Sequence, residues 1–367
     1  MPNLVSKKNI SKSKILTYML ANGKTSKVEL AKDLNLSMPT VLSNVNELME
    51  LGMIEEVGEY ESTGGRKART IAIRKDYKYA VGVAITAKHI VLVLVNMAGE
   101  VMKSERTRIT FSLSIEYYNK LSGVIQSFLS DEIDRDKILG IGVSLPGIIQ
   151  SDKRILSKSH ALQLENYSLK MIEQVMPYPV YFENDANASM LAENIQEKEN
   201  VIYLSLNNTL GGAICINGEL FSGENKKAGE FGHMIIVPDG KKCYCGKLGC
   251  ADAYCASSVL TENGARDIEN FMSMIGTDKK VDQEWHEYLD KLAILISNLR
   301  MAYDTDIILG GEIGAYVEDY KMELGEKIFK YNLFDKDLSY LRYSEYKKEA
   351  SAVGIAKHFL NEVVKEV

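Results

Sequence analysis

The chain has 367 residues, 46% hydrophobic and 26% charged, with a net charge of −6. Such a length provides for two or three packed units, each with its own core, and such a composition excludes a disordered or low-complexity polymer. The start, MPNLVSKKNISKSK, is polar and basic, and no run approaches the length of a membrane helix, so a cytoplasmic protein without a membrane partner is expected.

Charge is uneven along the chain. Residues 1–75 hold 12 Lys and Arg against 8 Asp and Glu, a balance of +4, which leaves −10 for the remainder. A basic head on an acidic body directs any polyanion to the head. Within that head, Ile15, Leu16, Met19 and Leu20 recur at helical spacing from Ser11 to Ala21, and Asn22-Gly23 ends the helix. Ser26 and Glu29 then form a capping-box pattern ahead of Val28, Leu30, Ala31 and Leu34. After the turn Asn35-Leu36, Ser37 caps a third helix whose Val41, Val45, Leu48 and Met49 face inward. Pro39 is tolerated in its first turn, where backbone donors lack intrahelical partners.

Two helices, a tight turn and a third helix predict a helix-turn-helix, with 37–49 as the recognition helix. Met53 to Val57 and Thr70 to Ile73 read as short strands around a glycine-rich basic tip, Thr63 to Arg69, so the unit is a winged helix. Ser37, Thr40, Ser43 and Asn44 on the helix, with Arg66 and Lys67 in the wing, are the candidate contacts to double-stranded DNA. The rival reading is a protein-docking module with an incidental basic loop.

Around Lys75 to Tyr79 the pattern changes, which divides the chain into residues 1–76 and 77–367. Buried strands are expected at Ala80 to Thr86, His89 to Asn96, Ile138 to Leu145, Val180 to Glu183, Val201 to Leu206, Ala213 to Ile216 and Asp306 to Leu309. Helical patterns lie between them at Ile115 to Ser130, Ala186 to Glu193 and Gln283 to Tyr303. Hairpins followed by helix-connected strands, occurring twice, indicate an α/β protein of two lobes around a cleft.

Between the last two of these regions, His233, Cys243, Cys245 and Cys250 are spaced by nine, one and four residues. One imidazole and three thiolates suit zinc, which binds sulfur and nitrogen tetrahedrally; four protein ligands leave no open position, so the site reads as structural. Gly246 and Gly249 supply the freedom that a tight knuckle needs. Three ordinary reduced cysteines in a polar loop are the alternative.

The same stretch, GEFGH followed by CxCGxxGC, resembles the signature of the ROK family, which groups sugar kinases with sugar-responsive transcriptional repressors. The resemblance spans essentially the whole chain. It implies a winged helix-turn-helix followed by a two-lobed, actin-like and sugar-kinase-like (ribonuclease H-like) ATPase-type domain. Lobe one would take about 77–190 and the C-terminal helix, lobe two about 191–350. It implies zinc on His233, Cys243, Cys245 and Cys250, and a sugar site of Gly147, Asn184, Asp185, Glu230, His233 and Asp252. Phe182 to Ala188 matches the family's ENDANA stretch, in which Asp185 stands at the kinases' general base. In isolation, Asn184-Asp185 also reads as a helix cap after a strand. Asp252 replaces the family's usual glutamate.

Departures from the family pattern fall on the phosphate side. Ala84 replaces the aspartate of DxGGT, Thr86 and Ala87 replace its glycines, and Asn207 to Ala213 lacks the first glycines of the second phosphate loop. Side chains there obstruct the approach of phosphate to backbone amides. ATP is therefore not expected, no residue is assigned a catalytic role, and the expectation is a sugar-responsive repressor acting as a homodimer. An active sugar kinase with an attached DNA-binding domain is the alternative.

Overall fold

The structure, a computed structural model, describes residues 7–59, 69–129, 133–193, 195, 198–262 and 264–367. Its amino-terminal unit begins with helices Lys7–Asn22, Lys27–Asp33 and Met38–Glu50. Ser26 and Glu29 close a reciprocal capping box on the second, and the Ser37 hydroxyl accepts from the Thr40 amide on the third. These caps satisfy orphan amides that the short helices could not otherwise spare. Strands Ile54–Glu59 and Arg69–Ile73 pair antiparallel, and Thr25–Ser26 adds a third short strand to the latter. Ile15, Leu16, Leu30, Val41, Val45 and Leu48 are fully buried between helices and sheet.

Two five-stranded sheets follow, built to one plan. In the first, Tyr79–Ile85, His89–Asn96 and Val101–Arg108 run antiparallel in sequence, while Ile138–Leu145 joins Tyr79–Ile85 in parallel and Val180–Asn184 joins Ile138–Leu145 in parallel. The second repeats the pattern with Val201–Leu206, Leu210–Ile216 and Glu219–Leu220 antiparallel, then Asp306–Gly310 and Leu341–Tyr343 parallel. Strands buried on both faces read as continuous apolar runs, which is why VIYLSL and ILGIGVSL show in the sequence. Val101–Arg108 is exposed along nearly its full length, a charged edge strand that carries no apolar alternation and so is silent in the sequence.

The 25-residue helix Lys279–Tyr303 seals the second sheet through Trp285, Tyr288, Leu289, Leu292 and Ile296. The chain then crosses back: helix Ala350–Glu366 lies on the first sheet and against helix Asp185–Ala192. It also meets the first helix of the amino-terminal unit, and one apolar cluster runs from Ile15 and Leu16 through Val353, Ala356, Leu360 and Val364. Among the described residues no helix is long and apolar enough to cross a membrane.

Candidate functional site

A cleft of about 960 Å³ separates the two sheets, and its floor is where strand Val180–Asn184 passes directly into helix Asp185–Ala192. Asn184 is the N-cap: its Oδ1 accepts from the amides of Ala186 (2.8 Å) and Asn187 (3.0 Å), and its Nδ2 donates to the Gly147 carbonyl at 2.9 Å. The helix-cap reading holds for Asn184, and the capped side chain lies at the cleft surface. Gly147 has φ +124°, and a Cβ there would stand 2.4 Å from the Lys158 carbonyl, so no other residue fits the loop. Asp185 lines the cleft beside Asn184, and burial raises its carboxyl above the ordinary range.

Glu183, one residue earlier and 8% exposed, organises this floor. Its Oε1 accepts from the Asn184 amide (2.8 Å) and Asn187 Nδ2 (3.0 Å), and its Oε2 from the Tyr181 hydroxyl (3.3 Å). Sequence reasoning passed over it, since nothing in a single acidic residue at a strand end announces three inward donors.

Glu230 faces this floor from the other lobe. Burial raises its pKa first, and the nearby Asp185 carboxylate adds to the shift. His233 presents Nε2 to Glu230 Oε2 at 3.9 Å, while its Nδ1 lies 3.8 Å from Cys243 Sγ. Cys245 and Cys250 sulfurs are 3.7 Å apart, and all four ligand atoms fall within 4.8 Å of one another. A tetrahedron with metal–sulfur bonds of about 2.3 Å has edges of roughly 3.8 Å, close to the two separations above, so the donor set could hold a metal ion. Gly246 (φ +93°) and Gly249 (φ +78°) turn the loop that brings the sulfurs together. Cleft carboxylates, the capped asparagine and the imidazole face form a concave polar surface rich in acceptors, suited to a polyhydroxylated ligand.

Asp252 does not join them. It is 6% exposed, absent from the cleft lining, and its Oδ1 accepts from the Leu210 amide at 2.7 Å; burial pushes its pKa up to about 6. Its carboxylate turns to the Leu210 backbone instead of the cleft, so its expected sugar contact is corrected to a support for Leu210. In its place the structure brings Lys158, His160 and Tyr244 to the cleft, the first two from a small sheet of Ile148–Gln150, Ile155–Ser159 and Leu164–Ser168 and its connecting turn.

On the far side of the lobes, the Thr86 hydroxyl accepts from the amides of His89 (3.0 Å) and Lys88 (3.4 Å). Asn207 Oδ1 accepts from the Glu312 amide at 2.8 Å, and Lys348 joins the carboxylates of Glu269 (2.6 Å) and Glu312 (3.3 Å). The amides of Lys88 and His89 are thus taken by Thr86, and that of Glu312 by Asn207.

At the amino-terminal unit, Ser37, Met38, Pro39, Leu42, Ser43 and Asn46 are exposed on the third helix and Thr40 is half-buried. Asn44 is not available. It is 1% exposed, with Oδ1 buried and unpartnered, because 41, 44, 45 and 48 form the inward stripe. The expected contact at Asn44 is therefore corrected; Asn46, two residues on, occupies the outer face. Arg66 and Lys67 lie outside the described residues.

Comparison with known proteins places these features in context. A family model described as "ROK family" matches residues 80–362, and one described as "Winged helix-turn-helix DNA-binding" matches residues 8–55. The xylose repressor of Bacillus subtilis (strain 168) is 28% identical over 261 residues, covering 70% of this chain and 68% of that protein. A putative xylose repressor of Caldicellulosiruptor sp. (strain Rt8B.4) is 26% identical, covering 97% of each chain. The crystal structure of a ROK family transcriptional regulator, homologue of the Escherichia coli MLC protein, superposes with a TM-score of 0.74 at 21% identity over 98% of both chains. A ROK hexokinase from Thermus thermophilus gives 0.61 at 22% identity, covering 76% of this chain and 96% of its own.

Proposed function

The chain belongs to the ROK family, and from that premise we propose that it is a sugar-responsive transcriptional repressor whose sugar, bound in the interlobe cleft, releases the winged head from operator DNA. The observation that carries this reading is the helix Ala350–Glu366, which lies against the floor helix of the cleft and against the first helix of the head. Relatives named as xylose repressors support it. Asn184, Asp185, Glu230 and His233 receive the sugar hydroxyls. Ser37, Thr40 and Ser43, joined by Asn46 and the wing residues Arg66 and Lys67, meet the duplex.

A sugar shifts operator affinity only by its own differential affinity for two arrangements of the lobes. Closure on the sugar moves the floor helix, and the C-terminal helix carries that movement to the head. Two-fold operators call for paired heads, so the protein acts as a homodimer in the cytoplasm. The Lys88, His89 and Glu312 amides, already taken by Thr86 and Asn207, argue against ATP phosphates at those donors, and no catalytic step is assigned to Asp185. His233, Cys243, Cys245 and Cys250 hold a structural zinc ion, which fixes the loop and the imidazole orientation.

The test is fluorescence anisotropy on duplexes tiling the gene's upstream DNA, at two salt concentrations, with sugars added in turn. Tight, salt-sensitive binding to one duplex, released by one sugar, is expected. Steady ATP-dependent phosphorylation of a sugar in a coupled assay would instead favour the kinase.

A further inference from the structure

The cleft does not end at the hydroxyl-binding floor. A second hollow of about 510 Å³ adjoins it, and Lys158, His160, Thr209 and Tyr244 line both, so the two form one trough running outward to Gln163 and Glu165. The wall at the junction is aromatic: the rings of His160 and Tyr244 are 5.0 Å apart, those of His233 and Tyr244 5.4 Å, and those of His160 and His233 6.1 Å. Tyr244 remains 48% exposed although it sits between two of the clustered cysteines on a braced loop. A rigid aromatic face open to a polar trough is what the C–H face of a pyranose packs against, since the ring's polarised C–H bonds meet the negative π face while its hydroxyls point to the rim. The floor already offers one ring's worth of polar partners: the second Nδ2 hydrogen of Asn184 and the carboxylates of Asp185 and Glu230. A single ring placed there leaves the outer trough, from Tyr244 towards Gln163 and Glu165, in water.

Resting on the sugar-effector reading above, we propose that the effector is a disaccharide or longer glycoside, its first ring on the floor and its second over Tyr244 and His160, with Gln163 and Glu165 at the rim. Isothermal titration of the full chain with matched pairs, xylose and xylobiose, glucose and cellobiose or maltose, N-acetylglucosamine and its β-1,4 dimer, tests this. One disaccharide is expected to bind roughly tenfold or more tightly than its own monosaccharide. Tyr244→Ala should bring that ratio close to one, Tyr244→Phe should keep it, and His160→Ala, outside the cysteine loop, should reduce it by about threefold.

Monosaccharides that bind as tightly as every dimer overturn the second subsite and leave the sugar reading intact. A monosaccharide 6-phosphate that outcompetes every dimer overturns it in the same way, assigning the lysine-bearing rim to phosphate. Absence of binding by every sugar overturns both.

Discussion

At the scale of single residues, the floor of the cleft depends on a side chain that makes no use of its own exposure. Glu183 takes three donors in a nearly closed environment, and removing it leaves them without partners. Glu183→Ala should cost about 3 kcal/mol of unfolding free energy in urea, whereas Glu183→Gln, which keeps one acceptor oxygen, should cost about 1 kcal/mol. Both should weaken sugar binding by loosening Asn184. In the loop opposite, chelation of the protein or Cys245→Ser should lower the melting temperature by several degrees in a thermal scan. A variant with unchanged melting temperature and metal content would remove zinc from the account. Asn44 and Asp252 show the limits of residue type as a guide. Both are polar residues expected to meet ligands, yet helix phase places one in the core and the other spends its carboxylate on a backbone amide.

Among the elements, the C-terminal helix is set by its close approach to the floor helix. A Cβ on Gly354 would stand 1.7 Å from the Ala188 carbonyl and 2.6 Å from the Ala192 amide. Gly354→Ala should therefore destabilise by about 3 kcal/mol, since backbone cannot yield as a side-chain tip does. Gly123 in helix Ile115–Phe128 meets nothing within 4 Å, so Gly123→Ala should stabilise by about 0.5–1 kcal/mol. At the end of the floor helix, burial raises the Glu193 carboxyl, partly opposed by the Ser344 hydroxyl that donates to it across the lobes at 2.6 Å. The folded state holds this proton more tightly than the unfolded chain, so its contribution is full below the ordinary carboxylate range and is lost as pH rises through the folded pKa. Glu193→Gln should gain stability relative to the parent as pH rises from about 4.5 towards neutrality, which parallel urea titrations at several pH values would read.

Across the whole molecule, the path from cleft to head passes through a stacked pair. The Tyr181 ring lies 3.7 Å from that of His358 at an interplanar angle of 13°, and the Tyr181 hydroxyl donates to Glu183. His358 belongs to the helix whose later turns, at Leu360 and Val364, share the apolar cluster of the head. His358→Ala should shrink the fold-change that sugar produces in operator affinity. Linkage then requires the sugar affinities of free and operator-bound protein to converge by the same factor. Anisotropy with and without saturating sugar, paired with titration of both forms, tests the equality. An undiminished fold-change would take the signal off this stack.

Legible in the chain alone were the three head helices, through caps and apolar stripes that are local, and the buried strands, through short apolar runs bounded by turn residues. The sequence also carried the grouping of His233, Cys243, Cys245 and Cys250, because four side chains within eighteen residues need only a turn to meet. Tertiary structure alone decided what depends on distant chain segments. The edge strand Val101–Arg108 exists because His89–Asn96 offers it a ladder, not because its residues alternate. Tyr244 meets His160, 84 residues earlier in the chain, only across the cleft between the two lobes. The head is tied to the cleft by a helix at the opposite end of the chain. Local physics writes elements into neighbouring residues, whereas a cleft and its coupling are made of contacts whose partners no spacing in the sequence records.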